Sequence, residues 1–207
     1  VVVAPELPGH GLSGGIRGGI GSFSDYGAFL STVIEEVGYR SPRPWHAIGH
    51  STGAVAILEH LRTSGDAFGA VVFAAPLVRN RMYDAARVGR FLTQPLVSTF
   101  PTRYDSPLGV PRMPLSWFDA QVAWNAEIDS ATAIDRPVYV LQGDRDRVVA
   151  WRYNRKVIGD LFATVDYDLI PGASHILYQG NNGDVRHQTL DRTVAYLERW
   201  NETRRRR

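Results

Sequence analysis

The chain has 207 residues, 44% of them hydrophobic and 21% charged, the balance of an ordinary globular domain with room for a good core. Its net charge of +2 is a property of the last four residues. Without Arg204 to Arg207, 19 basic residues stand against 21 acidic ones, so no basic face points to nucleic acid. Cysteine is absent, which excludes disulfides, thiolate metal sites and a cysteine nucleophile, and fits a reducing, cytoplasmic setting.

No apolar run approaches the length of a membrane span. Val1 to Ala4 form a β-branched run without polar alternation, which predicts a buried parallel strand. Pro5 and Pro8 then turn the chain into a glycine-rich loop that extends to Gly21. This loop lacks the G-x-x-x-x-G-K-[ST] spacing of a phosphate cradle, and the chain's one lysine is Lys156. Ser22 to Gly38 reads as an amphipathic helix, with Tyr26, Phe29, Leu30, Val33, Ile34 and Val37 at helical spacing. Ser22 and Asp25 resemble a capping box, and Gly38 is a stop.

Trp45 to Leu61, WHAIGHSTGAVAILEHL, is the most informative stretch. It predicts a short apolar strand, a sharp turn at Ser51 and an apolar helix. Gly49-His50-Ser51-Thr52-Gly53 matches G-x-S-x-G, in which the serine occupies a strained strand-to-helix turn and the glycines are expected to relieve backbone crowding. The helix start behind it offers free N–H groups to a developing negative charge. Ser51 is therefore the candidate nucleophile, and Thr52 supplies the first of those N–H groups.

Ala70 to Ala75 predict a further buried strand. Strand, helix and strand in this order imply parallel βαβ units with helices on both faces. Residues 77 to 136 break the alternation and contain no convincing strand. They read as a helical cap insertion whose aromatics, Phe91, Trp117 and Phe118 among them, either line an acyl cleft or pack the cap on the core. Pro137 to Gln142 restore the strand pattern and end in Gly143-Asp144-Arg145-Asp146. A helix from Trp151 to Phe162 and a strand from Thr164 to Ile170 lead to Pro171-Gly172-Ala173-Ser174-His175. The last helix, from Asp184 to Asn201, is expected to bury Leu190, Val194 and Leu197, and the Arg204 to Arg207 tail to be disordered.

A serine hydroxyl needs a base within hydrogen-bond reach, and a carboxylate to orient that base. The chain supplies Ser51, Asp146 and His175, each after a strand and in the order Ser, Asp, His. Three placements after strand ends put them together at the C-terminal edge of a parallel sheet, where sites of open α/β sheets form. His46, His60 and His187 have no partners at ligand spacing, His10 lies in the glycine-rich loop, His50 is an ordinary occupant of the variable position before Ser51, and no metal site or cofactor is expected.

The stretches PELPGHGLS, IGHSTGA, VLQGDRDRVV and IPGASHIL together resemble the lysophospholipase and monoacylglycerol lipase-like serine hydrolases of the α/β-hydrolase fold. The resemblance runs from Val1 to the final helix and is weakest in the cap. It implies a discontinuous core of residues 1–76 and 137–203, a cap of residues 77–136 and a basic tail at 204–207. The family places its acid in G-x-x-D-x-x-V, which maps onto Gly143, Asp146 and Val149 and favours Asp146 over Asp144. Its base maps onto His175. Ser51 in the elbow, where haloalkane-type enzymes carry a carboxylate, argues against that chemistry.

The resemblance also implies that the strands and the His-Gly loop before Val1 are missing. Such a chain keeps the triad residues, lacks the second oxyanion donor beside Thr52, and has a gap in its sheet. The implied function is hydrolysis of carboxylic esters through an acyl-enzyme, on lipid-like monoacylglycerols or lysophospholipids. The alternatives are a small-molecule esterase, an aminopeptidase-like hydrolase and an inactive fragment of such an enzyme. The expected partner is a small-molecule or lipid ester.

Overall fold

Small and β-branched apolar residues concentrate in four runs, and a computed structural model pairs them into one parallel sheet. It describes residues 1–38, 44–65, 67–93, 98–102, 109–179 and 183–206. After the glycine loop come helix α1 (Ser24–Gly38), strand β1 (Trp45–His50), helix α2 (Thr52–Thr63) and strand β2 (Phe68–Ala74). Helix α3 (Tyr83–Thr93), strands β3 (Thr99–Pro101) and β4 (Arg112–Pro114) and helix α4 (Leu115–Ile128) follow. The chain closes with β5 (Ile134–Gly143), α5 (Trp151–Leu161), β6 (Phe162–Ile170) and α6 (Gly183–Arg205).

The main sheet has the order β1-β2-β5-β6, with every neighbouring pair parallel. Side chains alternate across it as the pleat requires. Val71 and Phe73 of β2, with Val138 and Val140 of β5, face a core filled by α1, α2, α4 and α5. Ala70, Val72, Ala74, Tyr139 and Leu141 face the other way, where Val185 and Tyr196 of α6 cover them. Phe23 anchors the first layer. It is fully buried, with ring centroids 5.6 Å from Tyr26, 5.2 Å from Trp117 and 5.3 Å from Trp124.

Several sequence expectations need correcting. Val1 to Ala4 form no strand. These residues are exposed, because β1 is the outer strand of the sheet and, among the described residues, no strand lies against its free edge to pair with them. Residues 77 to 136 do hold strands: β3 and β4 form a two-stranded antiparallel ribbon, too short to show a period in sequence. Helix α6 turns Val185, Thr189, Thr193 and Tyr196 inward and leaves Leu190 and Val194 42% and 49% exposed. The threonines can be buried because each hydroxyl donates within the helix, Thr189 to the Val185 carbonyl and Thr193 to that of Thr189. The same helix continues through Arg204 and Arg205, where a disordered tail was expected. Arg207 lies outside the described residues.

Trp117 and Phe118 are buried rather than lining an open cleft. Trp117 donates its Nε1–H to the Tyr26 hydroxyl at 3.2 Å, and Phe118 packs edge-on against Tyr83. The side chain of Phe91 lies outside the described residues. Among the described residues, no helix is long and apolar enough to cross a membrane.

Truncating Phe23 to alanine removes the ring on which three aromatic neighbours converge. Urea unfolding of Phe23→Ala is expected to show a loss of about 3–5 kcal/mol relative to the parent chain.

Candidate active site

The turn between β1 and α2 is built as the motif requires. Ser51 adopts φ 52° and ψ −115°, a backbone conformation that costs a non-glycine residue about 1–3 kcal/mol. Hydrogen bonds hold it there: the Ser51 N–H donates to the Ala74 carbonyl, and the Ser51 carbonyl accepts from Ala54 and Leu77. Gly49 is obligatory, since a Cβ there would lie 2.7 Å from the Cα and N of Ala54 and from the carbonyl carbon of Gly53. Gly53 is not. A Cβ at that position meets no atom within 4 Å, so only the first of the two motif glycines answers a steric demand.

Leu77 belongs to a segment fastened by three buried amides that the sequence did not single out. Asn154 of α5 donates to the carbonyls of Pro76 and Arg79 and accepts the Arg79 N–H. Gln121 and Asn125 of α4 both donate to the Val78 carbonyl. The loop that supports Ser51 is thereby tied to two helices.

The loops after β5 and β6 carry the other two groups and are stitched together. A Cβ on Gly143 would come within 2.4 Å of the carbonyl oxygens of Ala173 and Ser174, so only glycine allows this approach. The Arg145 N–H donates to the Ala173 carbonyl, and the Gly172 N–H to Asp144 Oδ1 at 2.7 Å. Asp144 is thus an exposed loop tie. Asp146 is the carboxylate that meets the histidine, as the motif spacing favoured.

His175 Nδ1 lies 2.9 Å from Asp146 Oδ2, and His175 Nε2 lies 3.1 Å from Ser51 Oγ. An ionised carboxylate only accepts, so Nδ1 carries the proton and Nε2 is left to accept the Ser51 O–H. Asp146 and His175 are 5% and 4% exposed, whereas Ser51 is only half-buried, so the chain of bonds ends at solvent. Burial opposes the charge on Asp146. The His175 ring and the N–H groups of Val148 and Val149, both donating to Oδ1, outweigh burial and hold the carboxyl below its ordinary value.

His50, read from the sequence as an ordinary occupant of its position, donates Nε2–H to the His175 carbonyl at 2.9 Å, and the two rings are 4.8 Å apart. Burial pushes its pKa below the histidine norm, which the bond to His175 only partly offsets, so His50 is a neutral support. The remaining histidines serve structure where their bonds are seen. His10 meets the Pro8 carbonyl, His46 accepts the Ala70 N–H and His60 meets the Ser31 hydroxyl. Among the described residues, no group of three or more His, Asp or Glu is placed to hold a metal ion.

Residues 1–127 match the family described as serine aminopeptidase, S33. The chain belongs to that hydrolase family. No curated protein matches it by sequence. Among solved structures, the hydrolase is similar to a soluble variant of monoglyceride lipase from Saccharomyces cerevisiae in complex with a substrate analogue. The TM-score is 0.73 at 18% identity, over 94% of this chain and 76% of the other. It is also similar to the monoacylglycerol lipase of Paleococcus ferrophilus (TM-score 0.65, 20% identity, 91% and 81% covered). A third likeness is Est1E from Butyrivibrio proteoclasticus, with ferulic acid bound (0.62, 15%, 91% and 76%). These establish an α/β-hydrolase fold.

Gly49→Ala is expected to lower stability by about 1–3 kcal/mol through overpacking, while Gly53→Ala is neutral or raises it by up to about 1 kcal/mol, as thermal melts of the two variants will show. Because the Asp146 pKa is depressed on folding, its contribution is complete above the unfolded value and fades as pH falls through it. The stability gap between the parent chain and Asp146→Asn should therefore be widest near neutrality and narrow below about pH 4, measured by urea unfolding at stepped pH.

Proposed function

We propose that this hydrolase cleaves carboxylic esters through an acyl-enzyme, with Ser51 as nucleophile, His175 as general base and acid, and Asp146 as the group that orients His175. The observation that supports this reading most directly is the unbroken chain of hydrogen bonds from Asp146 Oδ2 through His175 to Ser51 Oγ. Ser51 Oγ attacks the ester carbonyl carbon as its proton passes to His175 Nε2. The Thr52 N–H, first in α2, stabilises the oxyanion of the tetrahedral intermediate. His175 then protonates the departing alcohol. Water, deprotonated by the same nitrogen, releases the acid and restores Ser51.

The favoured substrates are lipid-like esters, monoacylglycerols or lysophospholipids. The likeness to two structures named as lipases of monoacylglycerols supports this choice. A second reading, an aminopeptidase-like hydrolase, has the family description in its favour and would use the same three residues. Monoolein, a short p-nitrophenyl ester and an aminoacyl p-nitroanilide separate the possibilities. Turnover is expected on monoolein above all; turnover confined to the anilide would overturn the ester reading. Ser51→Ala should lower kcat on the order of a millionfold and Asp146→Asn on the order of ten-thousandfold. Ser51→Ala should also abolish labelling by a fluorophosphonate probe.

A further inference from the structure

Gln142 is the penultimate residue of β5 and is 1% exposed. Its Nε2 donates to Asp146 Oδ2 at 2.9 Å and to the Gly143 carbonyl at 3.1 Å. Both partners only accept, so the amide nitrogen must face them, and the orientation of the side chain is fixed. The Asp146 carboxylate thus receives four hydrogen bonds: Val148 and Val149 N–H on Oδ1, and Gln142 and His175 on Oδ2.

The two backbone donors anchor one oxygen. Rotation about the Asp146 Cβ–Cγ bond would carry the other away from the imidazole, and the donor on Oδ2 that resists this without titrating is Gln142. Stability alone does not explain the choice of side chain. Gln142 Oε1 is buried and, among the described residues, no group donates to it, so the amide carries an unmet acceptor that an apolar residue of similar size would not.

We propose that Gln142 is a positioning residue, which holds Asp146 Oδ2 against the His175 Nδ1–H. The proposal builds on the ester-hydrolase reading, because its kinetic effect is exerted on that triad. Gln142→Met keeps the length and removes the donor, and Gln142→Leu removes it with a branched side chain. Leu141→Val, at the neighbouring fully buried position, disturbs the core without touching Asp146 and serves as the control.

With monoolein as substrate, whichever donor-less variant folds should show kcat lowered about tenfold and a KM within twofold of the parent. The downfield proton resonance of the His175 Nδ1–H, read by NMR, should shift in that variant and stay in place in Leu141→Val. A kcat within twofold of the parent, a fall matched by Leu141→Val, or an unmoved resonance would each overturn the proposal. If the parent chain turns over no ester, the ester-hydrolase reading fails instead. The resonance then decides alone: a shift supports the positioning role, and no shift ends it.

Discussion

The backbone of Ser51 is where the folding of this chain and its chemistry meet. Its N–H reaches the end of β2, its carbonyl is held from both α2 and the loop after β2, and between them its φ is kept positive. A strained residue of this kind persists only where its surroundings over-determine it. Here the surroundings extend a long way. Leu77 contacts Ser51, the Leu77 segment is held by Asn154, Gln121 and Asn125, and those amides stand on α5 and α4. A local cost of about 1–3 kcal/mol is a considerable share of the roughly 5–15 kcal/mol by which domains are stable, and it is offset by buried hydrogen bonds two helices away.

A second constraint brings the other two groups to that serine. Ser51 and His175 are 124 residues apart, so their meeting depends on sheet order and on the length of each strand. Parallel pairing puts the C-terminal ends of β1, β2, β5 and β6 on one edge, and the loops there do the rest. Gly143 is decisive because it lets the loop of the acid press against the carbonyls that precede His175. A side chain at that position would push the two loops apart by more than the tolerance of a 2.9 Å hydrogen bond.

What was legible in the sequence was whatever local rules dictate. The G-x-S-x-G turn and the strands predicted over Trp45–Gly49, Ala70–Ala75, Pro137–Gln142 and Thr164–Ile170 each depend on a few neighbouring residues and lie where expected, while the acid loop after β5 was placed by the family resemblance. The Ser22–Asp25 cap is also seen, with Asp25 Oδ2 accepting the Ser22 N–H at 2.9 Å. The errors came where distant context overrules local pattern. Val1 to Ala4 have strand composition but no partner to pair with. Leu190 and Val194 have the helical spacing of a core face, yet threonines whose hydroxyls are satisfied within α6 take the inner positions. Gly53 satisfies a motif without meeting a steric need. His50, Gln142 and Asn154 were missed for one reason: each acts through a partner at least four residues away, 125 in the case of His50, and no spacing rule marks them.

The electrostatics of the site follow from how few charges it contains. Asp146 is the buried group that keeps its charge there, and it does so against desolvation because the His175 ring and the Val148 and Val149 N–H groups bond to it. His50 stands against the His175 ring and is kept neutral by its own burial, so it adds no positive charge beside the base. Of the four donors that share the Asp146 charge, the His175 ring is the one that also faces Ser51. That leaves Nε2 turned toward the half-exposed Ser51 hydroxyl and free to accept its proton.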